Sequence, residues 1–309
     1  MTKFRNEFKM KMFLTEGDDK KKWDCMQFAA KTLVASMYGV AGDAKYGMYH
    51  PEIAAAITYT SRETLGQLME NAREVGFDVI YGHTDSVFCV IPTPEEGLEK
   101  LGLINERMYP IVTEFEKWCS RIIMVAKNRY TGMVTWTDGE YHEPNIYVKG
   151  IEMKQSRMPP VMKAAMLDTI TGILTNEEES AVTDRLSTMV DSVIKGETDP
   201  IDLCMKGKLE RDISQYKVLS GSSAGAAWAN EYLGKGYRKG SFFLVTLNED
   251  GKYIAFDNPK DVEGIETVGT KVMVDRFVIK KIKPYFDLAG WSTQPIENAR
   301  NGLADMNWV

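Results

Sequence analysis

The stretch FDVIYGHTDSVFCVIP, residues 77–92, decides how the chain is read. Its two halves are rich in β-branched and aromatic residues and flank a short polar turn, the pattern of a β-hairpin. Inside it, YGHTDSVF (Tyr81 to Phe88) puts one carboxylate, Asp85, at a tight turn between two strands. A carboxylate carried there is held on a rigid support and suits a divalent metal, because magnesium demands hard oxygen donors in near-octahedral geometry. Thr84, Asp85 and Ser86 are also ordinary turn formers, so the octet alone leaves a purely structural turn open.

On the N-terminal side of the hairpin, Pro51 opens a long helix whose Ile53, Ile57, Leu65, Leu68 and Ala72 recur at spacings near three and four, and Gly76 ends it. Residues 1 to 39 read as a helical hairpin. A first helix runs from Thr2 to Leu14, the polar run TEGDDKKK breaks it, and a second begins near Trp23 and stops at Gly39. On the C-terminal side, Pro110 is placed near the start of an amphipathic helix with Ile111, Phe115, Trp118 and Ile122 on one face. RIIMVAKNRY, a strand pair around Thr137-Asp138-Gly139, and IYVKGIEM add sheet, with Asp-Gly supplying a turn. From Pro159 onward the pattern is mainly helical, with one more hairpin where SFFLVTL and KYIAF flank NEDG. The fold class is therefore α+β.

Composition narrows the function classes. With 309 residues, 44% of them hydrophobic and 27% charged, the chain is ordinary globular material, not a disordered, collagenous or disulfide-framed one. No apolar run is long enough to span a membrane, and MTKFRNEFKM lacks a signal-peptide core, so a soluble, cytoplasmic protein is expected. Cys25, Cys89, Cys119 and Cys204 share no zinc-ligand spacing. The net charge of -6 means that any nucleic-acid surface must be local.

The hairpin octet resembles motif C of the family B DNA polymerases, usually YGDTDS. About fifty residues earlier, KTLVASMYG (Lys31 to Gly39) resembles their motif B, usually KxxxNSxYG. RNEFK at Arg5 to Lys9 looks like the first fingers helix, KNRYTG at Lys127 to Gly132 like the KKRYAG segment, and YVKGIEMKQSRMPP at residues 147–160 like the palm–thumb junction, in flavour nearest the phage or viral branch. The resemblance implies helical-hairpin fingers at 1–40, an antiparallel-sheet palm with packed helices at 41–145, and a mainly helical thumb with a β-hairpin at 146–309. It implies template-directed nucleotidyl transfer with deoxynucleoside triphosphates on primer–template DNA. Arg5, Lys9, Gln27 and Lys31 then serve the triphosphate, while Tyr38 and Gly39 pack under the nascent base pair. Asp85 anchors metal, with Thr84 and Ser86 beside the DNA. Lys127, Arg129 and Tyr130 grip the primer backbone, and Lys149, Gly150, Glu152 and Arg157 lie against the duplex. Arg62 matches a structural arginine of the long palm helix.

Three positions depart from the family pattern: His83 stands for the first aspartate of motif C, Ala35 for the motif B asparagine, and Asn128 for a lysine. Imidazole is a poor magnesium ligand, so His83 is expected to modulate the site and not to bind the ion. No DxxSLYPS-like motif A occurs in the sequence. A single carboxylate does not organise the two ions of an in-line displacement. The expectation is therefore the C-terminal subunit of a split polymerase in a bacterial, archaeal or virus-infected cell. A partner carrying the exonuclease domain and motif A supplies the second carboxylate for two Mg²⁺ ions in trans. An inactive remnant that scaffolds DNA or a replication complex is the alternative.

Overall fold

The computed structural model describes residues 2–150 and 158–302. The fold is α+β, and the chain gathers into two compact units, Met1–Phe115 and Glu116–Val309.

In the first unit, α1 (Thr2–Phe13) and α2 (Gly17–Gly42) form the expected helical hairpin. Phe8 joins them, its ring 6.5 Å from Phe4 and 5.9 Å from Trp23. Two boundaries differ from expectation. The run GDDKKK is not a breaker but the opening of α2: Asp18 and Asp19 sit in its first turn, where carboxylates complement the positive end of the helix dipole. Gly39 lies inside the helix, which continues to Gly42 before Asp43 caps it. The long helix α3 (Pro51–Glu74) begins on its proline and is followed by Gly76 at φ 86°. It covers the hairpin β1 (Asp78–His83) and β2 (Ser86–Val90). A small core of Ala72, Ile104 and Met108, with Leu68, Phe77 and Val79 against it, ties α3 and the hairpin to α4 (Pro94–Met108).

The helix expected after Pro110 is not there. The helical segment lies before that proline, opened by the Thr93 side chain accepting a hydrogen bond from the Glu96 amide (3.3 Å) and by Pro94 at its first position. Lys117–Ala126 is instead β3, the first strand of the second unit.

That unit starts with an antiparallel meander of β3, β4 (Arg129–Thr137) and β5 (Glu140–Lys149). The turn between β4 and β5 is Asp138-Gly139, both at positive φ, as a tight hairpin requires. α5 (Pro160–Thr175) and α6 (Glu179–Ile194) follow, and then β6 (Met205–Lys208), α7 (Ser222–Tyr232), β7 (Phe242–Leu247) and β8 (Tyr253–Phe256). β7 and β8 are the expected hairpin, and β6 adds a third antiparallel strand beside β7. α8 (Thr270–Val274), a π-helical turn (Asp275–Ile279), α9 (Lys280–Ala289) and α10 (Gln294–Arg300) complete the unit. Its main core joins Met162, Met166 and Ile170 of α5 with Leu186 and Val190 of α6, Val245 of β7 and Phe286 of α9. Among the described residues, no helix is long and apolar enough to cross a membrane.

Candidate active site and nucleic-acid interface

In the first unit, His83 pairs with Ser86 across the hairpin, leaving only Thr84 and Asp85 in the turn. The Asp85 amide donates to the His83 carbonyl at 2.7 Å, and the Ser86 hydroxyl donates to the same oxygen at 3.1 Å. Thr84 adopts φ 56°. Left-handed backbone is unfavourable for a β-branched residue, and a non-glycine held there stores ~1 to 3 kcal/mol of strain. Its hydroxyl lies 3.2 and 3.3 Å from the two His83 ring nitrogens, and that ring stacks on Tyr81 with centroids 6.3 Å apart. The hairpin therefore fixes the turn through backbone and neighbouring side chains, while Asp85 is exposed at its tip. Among the described residues, no three His, Cys, Asp or Glu side chains gather where they could hold a metal ion.

The helical hairpin carries the other candidates of this unit. Arg5 and Lys9 are one turn apart on α1, as are Gln27 and Lys31 on α2. Arg5 is half-buried, and its Nε is buried without a hydrogen-bond partner. Lys9 reaches Glu114 at 3.3 Å, an exposed pair of the kind that costs little to exchange for another anion. Gln27 donates to Asp24 (2.8 Å), while Lys31, Tyr38, Gly39 and Ala35 are exposed. Arg62 is an exposed residue of α3.

The second unit brings together two stretches that lie twenty residues apart. Ala126 pairs with Arg129 around a two-residue turn, Lys127-Asn128, with Asn128 at φ 61°. Asparagine is among the few residues that tolerate this backbone region, and lysine is not. Asn128, which stands where the resembled pattern has a lysine, therefore suits the backbone of this turn. Lys127 and Arg129 are exposed, whereas Tyr130 is 6% exposed and packs beside Tyr147. Tyr130 pairs with Lys149, so the KNRYTG and YVKG segments meet at one end of the meander. Glu152 and Arg157 lie outside the described residues.

One neighbour of this end carried no sequence signal. Tyr285, from α9, is buried beneath β4. Burial raises its phenol above the ordinary value, while the nearby Thr131 hydroxyl and the Arg129 charge oppose the rise. Only the packing of a distant helix could reveal it.

Three of the four cysteines, Cys89, Cys119 and Cys204, are poor nucleophiles. Burial, reinforced by the charge of Asp78, pushes the Cys89 thiol up to about 11, and burial also raises Cys119. Cys204, buried and near Asp199, is pushed up to about 12. Thiolates are scarce in such groups at neutral pH.

A profile described as DNA polymerase family B matches residues 1–227. The chain is 24% identical over 259 residues to DNA polymerase 1 of Aeropyrum pernix, covering 79% of this chain and 26% of that protein. It is 26% identical over 223 residues to the DNA polymerase of Thermococcus gorgonarius, covering 69% and 28% respectively. It is 24% identical over 208 residues to DNA polymerase 1 of Saccharolobus solfataricus, covering 65% and 23%. The chain thus spans roughly a quarter of the length of these relatives.

Proposed function

The chain belongs to DNA polymerase family B, and we propose that it supplies the fingers, the motif C part of the palm and the thumb for DNA-directed DNA synthesis. The observation that carries this reading is Asp85, displayed at the tip of a strained two-residue turn inside the segment that matches the family. Strain of this kind persists where the surrounding structure over-determines it, and it concentrates at functional sites.

In this account Arg5, Lys9 and Lys31, with Gln27, hold the triphosphate of an incoming nucleotide and offset the charge that builds on the departing pyrophosphate. Tyr38 and Gly39 pack under the new base pair. Lys127 and Arg129 neutralise primer phosphates, with Tyr130 shaping the strand beneath them and Lys149 at the same end of the meander. Such contacts fix register without reading sequence, as a template-directed enzyme requires. Residues 1–40, 41–145 and 146–309 then act as fingers, palm and thumb.

Family B synthesis calls for Mg²⁺, which in this site would polarise phosphate oxygens. The donor set tests that requirement: Asp85 is one exposed carboxylate, and no metal-holding group forms among the described residues. The described residues therefore do not make a complete magnesium centre. We place the second carboxylate that would complete the centre on a partner chain that bears motif A and the exonuclease domain. Two features support a completing segment. Among the described residues β1 and β2 form a two-stranded sheet, and Ile80 at 46% and Val90 at 57% exposed leave apolar surface on it uncovered. Phe4, Phe13, Leu14 and Phe28 of the helical hairpin are also more than half exposed.

The test is primer extension with Mg²⁺ and all four deoxynucleoside triphosphates, by this chain alone and by this chain with a family B segment carrying motif A. Synthesis only in the mixture is expected. A mixture that binds primer–template but never extends it favours the scaffold reading.

A further inference from the structure

We propose that Gly150 is a positioning residue for Arg129. The end of β5 closes on the Lys127-Asn128 turn at a place where only a bare α-carbon fits, and this closure aims the Arg129 side chain. The proposal rests on the reading that this turn meets the primer backbone.

The strand register puts Gly150 there. Tyr130 pairs with Lys149, so Gly150, which follows β5, comes opposite Arg129. Gly150 has φ 64°, and a Cβ on it would stand 1.8 Å from the Asn128 carbonyl oxygen, 2.9 Å from its carbon and 3.3 Å from Arg129 Cγ. Real Cβ atoms essentially never approach within 3.0 Å, so the Asn128 peptide would have to retreat by more than an ångström. The obstructing atoms are backbone, not the far end of a flexible side chain, and they belong to the peptide that leads into Arg129. The turn is therefore placed by steric closure on Gly150 and by the left-handed Asn128, and contacts to a bound backbone need groups held within ~0.5 Å.

The experiment is a double-substitution cycle on the full chain. Affinity for a fluorescent primer–template duplex is measured across a salt series for Gly150→Ala, Arg129→Ala and the pair, with hydrogen exchange of residues 126–132 followed in each. Gly150→Ala and Arg129→Ala should each weaken binding roughly tenfold and reduce the salt slope by about one. The pair should do no worse than either alone, and exchange at the turn should rise in Gly150→Ala. A hundredfold loss in the pair, or wild-type affinity in Gly150→Ala while Arg129→Ala is impaired, would overturn the proposal. If Arg129→Ala binds like wild type, or wild type does not bind, the primer-contact reading fails. The exchange data then judge the lock alone, and unchanged protection in Gly150→Ala sinks it. Should Gly150→Ala not fold, Asn128→Gly, which loosens the same turn without adding an atom, replaces it with the same outcomes.

Discussion

His83 and Ser86 face each other as the last pair of the β1–β2 hairpin, and the Ser86 hydroxyl bonds back to the His83 carbonyl at 3.1 Å. The pair clamps the loop that carries Asp85, so Thr84 bears the conformational cost of the tight connection. Thr84→Gly should stabilise the first unit by about 1 kcal/mol in urea unfolding, because glycine takes positive φ freely. Nucleotide incorporation by the completed polymerase should fall at the same time, since the looser turn no longer fixes the carboxylate. Greater stability with full activity would mean that the strained turn has no catalytic purpose.

Asn128 carries a parallel argument in the second unit. Asn128→Lys restores the charge that the family pattern has at this position but forces a lysine into φ 61°. A loss of about 1 kcal/mol is expected, read by thermal unfolding, together with weaker duplex binding despite the added cation. Tighter binding at unchanged stability would contradict the backbone account of this substitution.

Acid stability depends on a cluster remote from both candidate sites in sequence. Lys235 bonds Asp257 at 2.9 Å and Asp261 at 2.8 Å, and Tyr237 donates to Asp257 at 2.7 Å. Lys235 chiefly, then Tyr237 at Asp257 and the Asn258 amide at Asp261, hold both carboxyls below their ordinary value. Folded-state values below unfolded ones add stability that is present above the unfolded value, about 4, and lost as pH falls through the folded values. Lys235→Met should flatten that acid limb in urea titrations below about pH 4. An unchanged slope would show that the cluster does not couple folding to protons.

Thiol labelling separates the cysteines. Cys25 is exposed, whereas Cys204 is buried with its thiol pushed up to about 12. Iodoacetamide at neutral pH should modify Cys25 within minutes and Cys204 only after unfolding, as read by peptide mass. Early alkylation of Cys204 would mean that its core opens in the native state.

The hairpin at 77–92 was legible because two runs rich in β-branched and aromatic residues flank a polar turn. Asp138-Gly139 was legible because those two residues favour the positive φ values they adopt. β3 was not. Register shifts at Trp118/Cys119, Cys119/Arg121 and Met124/Ala126 break its two-residue period, so Phe115, Trp118 and Ile122 mimic helical spacing. The start of α2 was hidden because a charge run resembles a turn until its order, acids first and lysines after, is matched to the helix dipole. Of the candidate site, the hairpin pattern marked the turn that carries Asp85, and the resemblance to family B polymerases pointed to Lys127 and Arg129. The closure of Gly150 on Asn128 and the burial of Tyr285 under β4 arise from tertiary packing, which no local period records.

The measurement that bears most directly on the central claim is single-turnover nucleotide incorporation by the completed polymerase with Asp85→Asn in this chain. Asp85 is exposed at its turn, so the substitution should leave thermal unfolding and duplex affinity unchanged. Incorporation should fall by about a thousandfold, as expected when a carboxylate of the reacting centre is neutralised. Incorporation at the wild-type rate would contradict the account and place the chemistry on other residues.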